Sequence, residues 1–143
     1  MSELVIDSGV AVKWFVIETY SPEADRILQE YRQGKWSFLA PDFIYAEFGN
    51  VIWKKQAFQG LNPADAEQIV SDFRTQISLS LTSAADLLED GYRLAVAHKR
   101  AVYDALYLAL SLQIGCPFVT ADEKLVNAIG SLYPNMIWLA NWP

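Results

Sequence analysis

Apolar positions along the chain fall into short runs that alternate with longer stretches of helical periodicity. The short runs are rich in β-branched and aromatic residues, which favours strands, and they lie at residues 4–6, 37–40, 77–81, 117–119 and 136–139. The longer stretches predict helices at residues 10–16, 22–33, 42–58, 62–74, 83–98, 103–114 and 122–129. Strands separated by helices pair in parallel through right-handed crossovers, with helices on both faces. We therefore expect one domain over residues 1–143, with a three-layer α/β/α fold and a mainly parallel sheet of roughly five strands.

Capping residues predict where several of these helices begin. Ser21 is placed as an N-cap with Pro22 at the first helical position, and Asn62 precedes a second such proline. Thr120 and Glu123 have the Thr-x-x-Glu spacing of a capping box, which predicts that Thr120 caps the last helix.

The composition is that of a globular protein from a reducing compartment. Hydrophobic residues make up 52% of the chain and charged residues 20%, which excludes a disordered chain. A single cysteine excludes an intramolecular disulfide framework and a multi-cysteine zinc site. Residues 1–7 lack the basic and apolar regions of a signal peptide, and the apolar stretch at 101–114 is too short for a membrane span. We expect a cytoplasmic protein with no membrane partner.

The net charge of −6 argues against a protein that binds nucleic acid by electrostatics alone, because such proteins are usually basic. That argument loses its force if several of the carboxylates sit together around a metal ion.

Two acidic residues directly follow predicted strands. Asp7 ends the first strand, and Asp122 lies just after the fourth. The carboxyl ends of parallel strands border the functional crevice of an open α/β sheet, so the two acids are close if the first and fourth strands are neighbours. Each also has a purely structural explanation, since Asp7 is a good helix N-cap and Asp122 falls in the first turn of the last helix.

Two more acidic residues interrupt apolar helical faces. At about 100° per residue, Glu47 falls between Phe43 and Val51, inside the apolar stripe of its helix. Such a carboxylate needs a cation or hydrogen-bond donors, and an ion pair with Lys54 is the structural alternative. Asp104 is the only charged residue between 101 and 115, and a favourable position near the helix dipole is its structural alternative.

Taken together, the four carboxylates predict a metal site. Carboxylates about 4 Å apart repel by roughly 4 kcal/mol per pair at an effective dielectric constant near 20, so a cluster persists only if it is protonated or neutralised by a cation. An all-oxygen set without Cys or His suits Mg²⁺ or Mn²⁺ rather than zinc.

Four segments that contain these acids resemble the signature blocks of PIN-domain proteins, most similarly those of VapC-type toxins of prokaryotic toxin–antitoxin pairs. The segments, at residues 5–15, 41–47, 103–110 and 118–125, read VIDSGVAVKWF, PDFIYAE, YDALYLAL and FVTADEKL. The resemblance implies a Mg²⁺-dependent endoribonuclease, with Mn²⁺ as a substitute ion. It also implies that the acidic quartet is both catalytic and metal-ligating, namely Asp7, Glu47, Asp104 and Asp122.

The resemblance implies supporting roles and partners as well. Ser8 and Thr120 would donate hydrogen bonds to the metal ligands or to a phosphate, although both also suit helix caps. Gly9 departs from the family pattern, which often has a second serine there. The implied partners are an RNA substrate, a cognate antitoxin protein and a second copy of the chain.

The helix at 42–58 carries an apolar arc wider than one core contact requires. Tyr45, Phe48 and Ile52 extend the stripe around the helix. Burial of the helix between two neighbours is one explanation. The other is that part of the arc, with Trp53, binds a second copy or an apolar segment of an inhibitory partner. We expect a homodimer.

Other function classes fit the sequence less well. No phosphate-binding glycine loop is present, and His98 is the only histidine, so a Ser-His-Asp mechanism has no support unless His98 is the base. The main rival is a non-catalytic PIN-like domain that binds RNA or a partner protein without cleaving. A missing acid would favour that rival, and all four acids are present.

Overall fold

The computed structural model describes residues 2–143 and contains one five-stranded sheet with helices on both faces. The strands are β1 (Ser2–Ile6), β2 (Trp36–Pro41), β3 (Leu79–Thr82), β4 (Phe118–Thr120) and β5 (Met136–Trp138). The helices are α1 (Ser8–Val12), α2 (Ser21–Arg32), α3 (Ile44–Phe58), α4 (Pro63–Gln76), α5 (Ala84–His98), α6 (Val102–Ile114) and α7 (Glu123–Ile129). Two short 3₁₀ turns, Gly130–Leu132 and Leu139–Asn141, flank β5. The three-layer α/β/α prediction is confirmed.

The sheet is parallel throughout, in the order β3-β2-β1-β4-β5. β1 is the central strand, and its last three residues are fully buried because the sheet continues on both sides and helices cover both faces. Val5 pairs with Leu39 of β2 and with Phe118 of β4, and Ile6 pairs with Val119. The first and fourth strands are therefore neighbours, as the placement of the strand-end acids requires.

α6 is the helix that connects the sheet to the outer elements. It packs across β1, β2 and β4, and α5 packs against it. Gly91 of α5 makes this contact possible, since a Cβ at that position would lie 2.5 Å from Cδ2 of Leu106. α6 is apolar on most sides because it is covered on most sides, and none of the helices within residues 2–143 has the length and hydropathy that crossing a bilayer requires.

Two predicted caps are wrong. Tyr20, with a positive φ of 68°, occupies the N-cap of α2, whereas the Ser21 hydroxyl accepts the Glu18 N–H and donates to the Val16 carbonyl. At α7, Asp122 is the N-cap. The Thr120 hydroxyl donates a hydrogen bond to Asp7, the residue that follows β1.

The start of the third helix also differs from the prediction. α3 begins at Ile44 because Pro41 still belongs to β2 and Asp42 lies in a turn. Asp42 is hydrogen-bonded to both sides of the connection between β3 and α5. The Asp42 amide donates to the Thr82 carbonyl, and its carboxylate accepts the Ala84 N–H at 3.1 Å.

The apolar arc of α3 is largely covered by the protomer's own elements, which favours the burial explanation at two of its positions. α3 packs between α1 and α4. Phe48 and Ile52 are each 1% exposed, and the Phe48 ring stacks on Phe73 of α4 at 4.0 Å between centroids. Tyr45 is half-buried against the same ring, and only Trp53, which is 55% exposed, stays on the surface.

Candidate active site

The four predicted carboxylates converge on one cavity of about 250 Å³ at the carboxyl ends of the central strands. They arrive from four different parts of the chain: the end of β1, the first turn of α3, the first turn of α6 and the second residue after β4. The side chains that line the cavity are those of Asp7, Ser8, Glu47, Asp104, Tyr107, Phe118, Thr120, Ala121, Asp122 and Leu125, with Gly9 contributing backbone.

Asp7 is held in place by hydrogen bonds on both carboxylate oxygens. Oδ1 accepts the Val10 N–H at 2.9 Å, which makes Asp7 the N-cap of α1. Oδ2 accepts the Thr120 hydroxyl at 2.5 Å and the Ala121 N–H at 3.3 Å. Part of the residue reaches solvent, but protein atoms enclose the carboxyl group. Burial therefore raises its pKa to about 6, against the lowering effect of these three donors, and the nearby Glu47 adds to the rise.

Thr120 connects the two strand-end acids. Its hydroxyl donates to Asp7 and accepts the Asp122 N–H at 3.0 Å, and the residue is fully buried. Asp122 in turn caps α7 through its Oδ1, which accepts the Leu125 N–H at 3.2 Å. Both acids are thus helix caps and cavity-lining groups at once, and the structural explanation of each does not compete with the functional one.

Glu47 is bound by hydroxyl groups rather than by a lysine. Its Oε1 accepts the Tyr107 hydroxyl at 2.5 Å and the Ser8 hydroxyl at 3.3 Å. The ion pair with Lys54 is absent from residues 2–143. Burial raises the pKa of Glu47, the two hydroxyl donors oppose this, and the charge of Asp104 raises it further.

Asp104 is affected by charges of both signs. Burial and the neighbouring Asp122 carboxylate raise its pKa, and the Arg100 guanidinium opposes them. Of the residues that line the cavity, none is a lysine or arginine. The cavity therefore concentrates negative charge that only its hydroxyl and amide donors offset.

This donor set fits a hard divalent cation. The carboxylates offer oxygen ligands only, and burial raises the pKa values of Asp7, Glu47 and Asp104, so a bound cation would favour their charged forms. Within residues 2–143, no three acidic, histidine or cysteine side chains lie close enough together to hold an ion directly. Mg²⁺ keeps several of its waters and binds proteins through one or two carboxylates, so this spacing suits a hydrated ion.

Tyr107 is a site residue that the sequence patterns did not identify. It is 3% exposed, its ring stacks parallel to Phe118 at 5.9 Å, and its hydroxyl reaches Glu47. Its pKa lies well above the ordinary value because burial and the Glu47 carboxylate both disfavour the phenolate. The available signal was its position three residues after Asp104, which places both side chains on one face of α6.

The chain is similar to known proteins over most of its length. The family model of the PIN domain matches residues 4–130. A curated relative, ribonuclease VapC3 of Pyrobaculum aerophilum, is 30% identical over 135 residues, which cover 91% of this chain and 97% of that protein.

Three solved structures share the fold. A protein of Pyrobaculum aerophilum superposes with a TM-score of 0.70 at 19% identity over 97% of this chain and 92% of that one. A toxin–antitoxin complex from Klebsiella pneumoniae gives 0.64 at 14% identity over 94% and 95% of the two chains. VapC20 of Mycobacterium tuberculosis, a toxin that cleaves the sarcin–ricin loop, gives 0.63 at 14% identity over 87% and 94%. With the family model matched from the first strand to the last helix, the chain belongs to the PIN domain family.

Proposed function

We propose that the protein is a cytoplasmic, Mg²⁺-dependent endoribonuclease and the toxin of a type II toxin–antitoxin pair. The observation that supports this most directly is the meeting of Asp7, Glu47, Asp104 and Asp122 in one cavity. Similarity to a ribonuclease over nearly the whole of both chains supports the reaction class.

The residues of the cavity have separate roles in this proposal. Asp7, Asp104 and Asp122 would hold one or two Mg²⁺ ions, directly or through water, and Glu47 would be a further ligand or orient the attacking water. A bound ion supplies Lewis-acid polarisation of the phosphodiester and lowers the pKa of water. Thr120 and the Val10 and Ala121 amides fix both oxygens of Asp7, and Tyr107 fixes one oxygen of Glu47. These bonds keep the carboxylates oriented before the substrate arrives.

The test is cleavage of RNA by the purified protein. Cleavage should require Mg²⁺ or Mn²⁺ and stop in EDTA. Asp7→Asn should abolish it while the far-UV circular dichroism spectrum stays unchanged. Asp25→Asn is the matched control, because Asp25 is an exposed acid on α2 that does not line the cavity. Activity that persists in EDTA or in Asp7→Asn would exclude metal-assisted hydrolysis.

The non-catalytic alternative has a distinct outcome. A PIN-like binding domain would bind RNA or a partner protein, and added Mg²⁺ would produce no new RNA ends. Intact RNA recovered from a complex with the wild-type protein would favour this alternative, whereas mapped cleavage sites would exclude it.

The toxin assignment also includes a cognate antitoxin and a homodimer. A solved neighbour of the same fold is a toxin–antitoxin complex, which supports the antitoxin. Trp53 and Phe58 of α3 remain exposed and contact each other edge to face at 5.7 Å, which supports an apolar contact at this end of the helix. Expression of the chain should arrest growth, co-expression of a small neighbouring reading frame should relieve the arrest, and light scattering should give twice the 16.1 kDa protomer mass.

A further inference from the structure

The rim of the acidic cavity carries an exposed aromatic ring that continues an aromatic row from inside the site. Tyr107 lines the cavity and contacts Phe43 edge to face at 5.5 Å between centroids. Phe43 makes the same kind of contact with Tyr103 at 5.7 Å. Tyr107 is buried, whereas Tyr103 is 64% exposed. The row therefore runs from Tyr107, which is buried and donates to Glu47, to the exposed ring of Tyr103.

The aromatic row places Tyr103 within reach of a nucleotide chain that enters the cavity. Tyr103 and Tyr107 are one turn apart on α6, which separates them by about 6 Å along the helix. A stacked nucleic-acid strand rises about 3.4 Å per nucleotide, so this separation spans roughly two nucleotides, and a chain with a phosphate in the cavity brings a base one or two nucleotides away to Tyr103. Tyr103 also directly precedes Asp104, so the ring and an acid of the cavity share the first turn of α6.

A cationic residue lies three positions before Tyr103 in the chain. Arg100 precedes α6, and its Nε is buried without a hydrogen-bond partner in residues 2–143. An unpaired guanidinium N–H can donate to a phosphate oxygen.

The other aromatic and basic side chains are less suited to this role. Trp14 is stacked on Phe38 at 5.2 Å and donates to the Ala24 carbonyl. Lys13 and Lys55 both bind the Glu18 carboxylate at 2.9 Å. Trp53 is exposed but lies on α3 away from the lining of the cavity.

We propose that Tyr103 and Arg100 form a nucleotide-binding rim: the Tyr103 ring stacks on a base within two nucleotides of the scissile phosphate, and Arg100 binds a backbone phosphate. The rim rests on the proposed function and assigns substrate-binding roles to two residues beside that site. Stacking requires a free base face, so the substrate is RNA with an unpaired base near the cleavage site.

The test measures RNA binding separately from cleavage. The Asp7→Asn protein is the reference in Mg²⁺ buffer, because it is expected to bind without cutting. The probes are a fluorescein-labelled single-stranded RNA and the same RNA annealed to its complement, and the readout is fluorescence anisotropy. In this background, Tyr103→Ala should weaken binding of the single-stranded RNA about 5- to 150-fold. The ratio of affinities for the single-stranded and the duplex RNA should fall as well. Tyr103→Phe, which keeps the ring, should restore most of the lost affinity.

The two rim residues should differ in their response to salt. Arg100→Gln should lower the slope of log affinity against log salt by about 0.7, and Arg100→Lys should restore it. Tyr103→Ala should leave the slope unchanged, because stacking releases no counterions. Tyr92→Ala is the matched control, since Tyr92 is 59% exposed on α5 and outside the cavity lining, and it should change neither quantity.

The outcomes separate the rim from the nuclease proposal. Cleavage by the wild-type chain with equal binding by the reference and Tyr103→Ala proteins would overturn the rim alone. Loss of binding in Tyr103→Ala without any cleavage by the wild type would support the rim and overturn the nuclease. A change of oligomeric mass in Tyr103→Ala, with RNA binding intact, would assign the ring to a protein interface and overturn the rim.

Discussion

The Tyr107 hydroxyl lies 2.5 Å from Oε1 of Glu47 and joins α6 to α3 at the acidic cavity. The Ser8 hydroxyl donates to the same oxygen, and Oε2 makes no hydrogen bond within residues 2–143. One oxygen of the carboxylate is therefore fixed by the protein, and the other is left for a ligand or a water. Because the Tyr107 ring is stacked on Phe118 of β4, this orientation is set by the packed core.

Removing the Tyr107 hydroxyl should impair cleavage more than folding. We expect Tyr107→Phe to lower kcat/KM about 10- to 100-fold, which is the usual cost of losing a group that orients a ligand or catalytic carboxylate. The pKa of Glu47 should rise, because a donor that lowers it is gone, so the acid limb of the pH–rate profile should move to higher pH.

Tyr133→Phe is the control for this change. It removes another partly buried hydroxyl contact, the 2.6 Å contact between Tyr133 and Nε2 of His98, at a position outside the cavity lining. Equal pH–rate profiles for wild type and Tyr107→Phe would show that the hydroxyl does not orient Glu47.

Without metal, the protein should lose stability as the pH rises. The pKa of Asp7 is about 6 in the folded chain against an ordinary value of 3.8, so the unfolded chain releases this proton first. The protonated Asp7 carboxyl therefore stabilises the folded state fully below about pH 4, and this stabilisation is lost as the pH passes 6. The free energy of unfolding falls by about 3 kcal/mol over this range. The raised pKa values of Glu47 and Asp104 act in the same direction.

Asp7→Asn isolates the contribution of that one carboxyl. In urea unfolding with EDTA, the free energy of unfolding of wild type should fall between pH 4 and 7.5, and that of Asp7→Asn should fall less. The Asp25→Asn control should follow the wild type. A steeper fall in Asp7→Asn than in wild type would contradict the assignment of the raised pKa to Asp7.

A divalent cation should reverse this loss. Ions that bind only the folded state stabilise it by about 2.7 kcal/mol at a hundredfold excess over Kd. For a chain of this size, Mg²⁺ or Mn²⁺ should raise the Tm at pH 7.5 by about 5–10 °C. Asp7→Asn should show a smaller rise, and Asp25→Asn the full one. Equal shifts in wild type and Asp7→Asn would place the ion outside the cavity.

The sequence predicted those parts of the site that depend on one element at a time. Asp7 and Asp122 were placed by the rule that the carboxyl ends of parallel strands share an edge, and Glu47 by the period of its own helix. The hydrogen bond from Tyr107 to Glu47 depends on how closely α6 approaches α3. A pattern within one helix does not predict the distance between two helices. The capping-box prediction for Thr120 was wrong because Thr120 is still the last residue of β4 and α7 begins only at Glu123, so Asp122 occupies the N-cap and accepts the Leu125 N–H.

The same limit explains why two explanations of the apolar arc on α3 stayed open in the sequence. A helical period shows that Phe48 and Ile52 lie on an apolar arc, but it does not show whether another protomer or another helix covers them. Here α4 returns along α3 and supplies Phe73, so the protomer buries both side chains itself.

Lys99 holds a left-handed conformation that a glycine would adopt with less strain. It is the C-cap of α5 with φ 54° and ψ 46°, and it immediately precedes Arg100. An L-residue in this region costs about 1–2 kcal/mol, and glycine costs about 0.5–1 kcal/mol in unfolded-state entropy. We expect Lys99→Gly to stabilise the protein by about 0.5–1 kcal/mol, measured by urea unfolding, whereas Lys99→Ala keeps the strain and should not. Both variants remove the same charge, so a lower stability for Lys99→Gly than for Lys99→Ala would show that the turn before Arg100 is held by something other than backbone conformation.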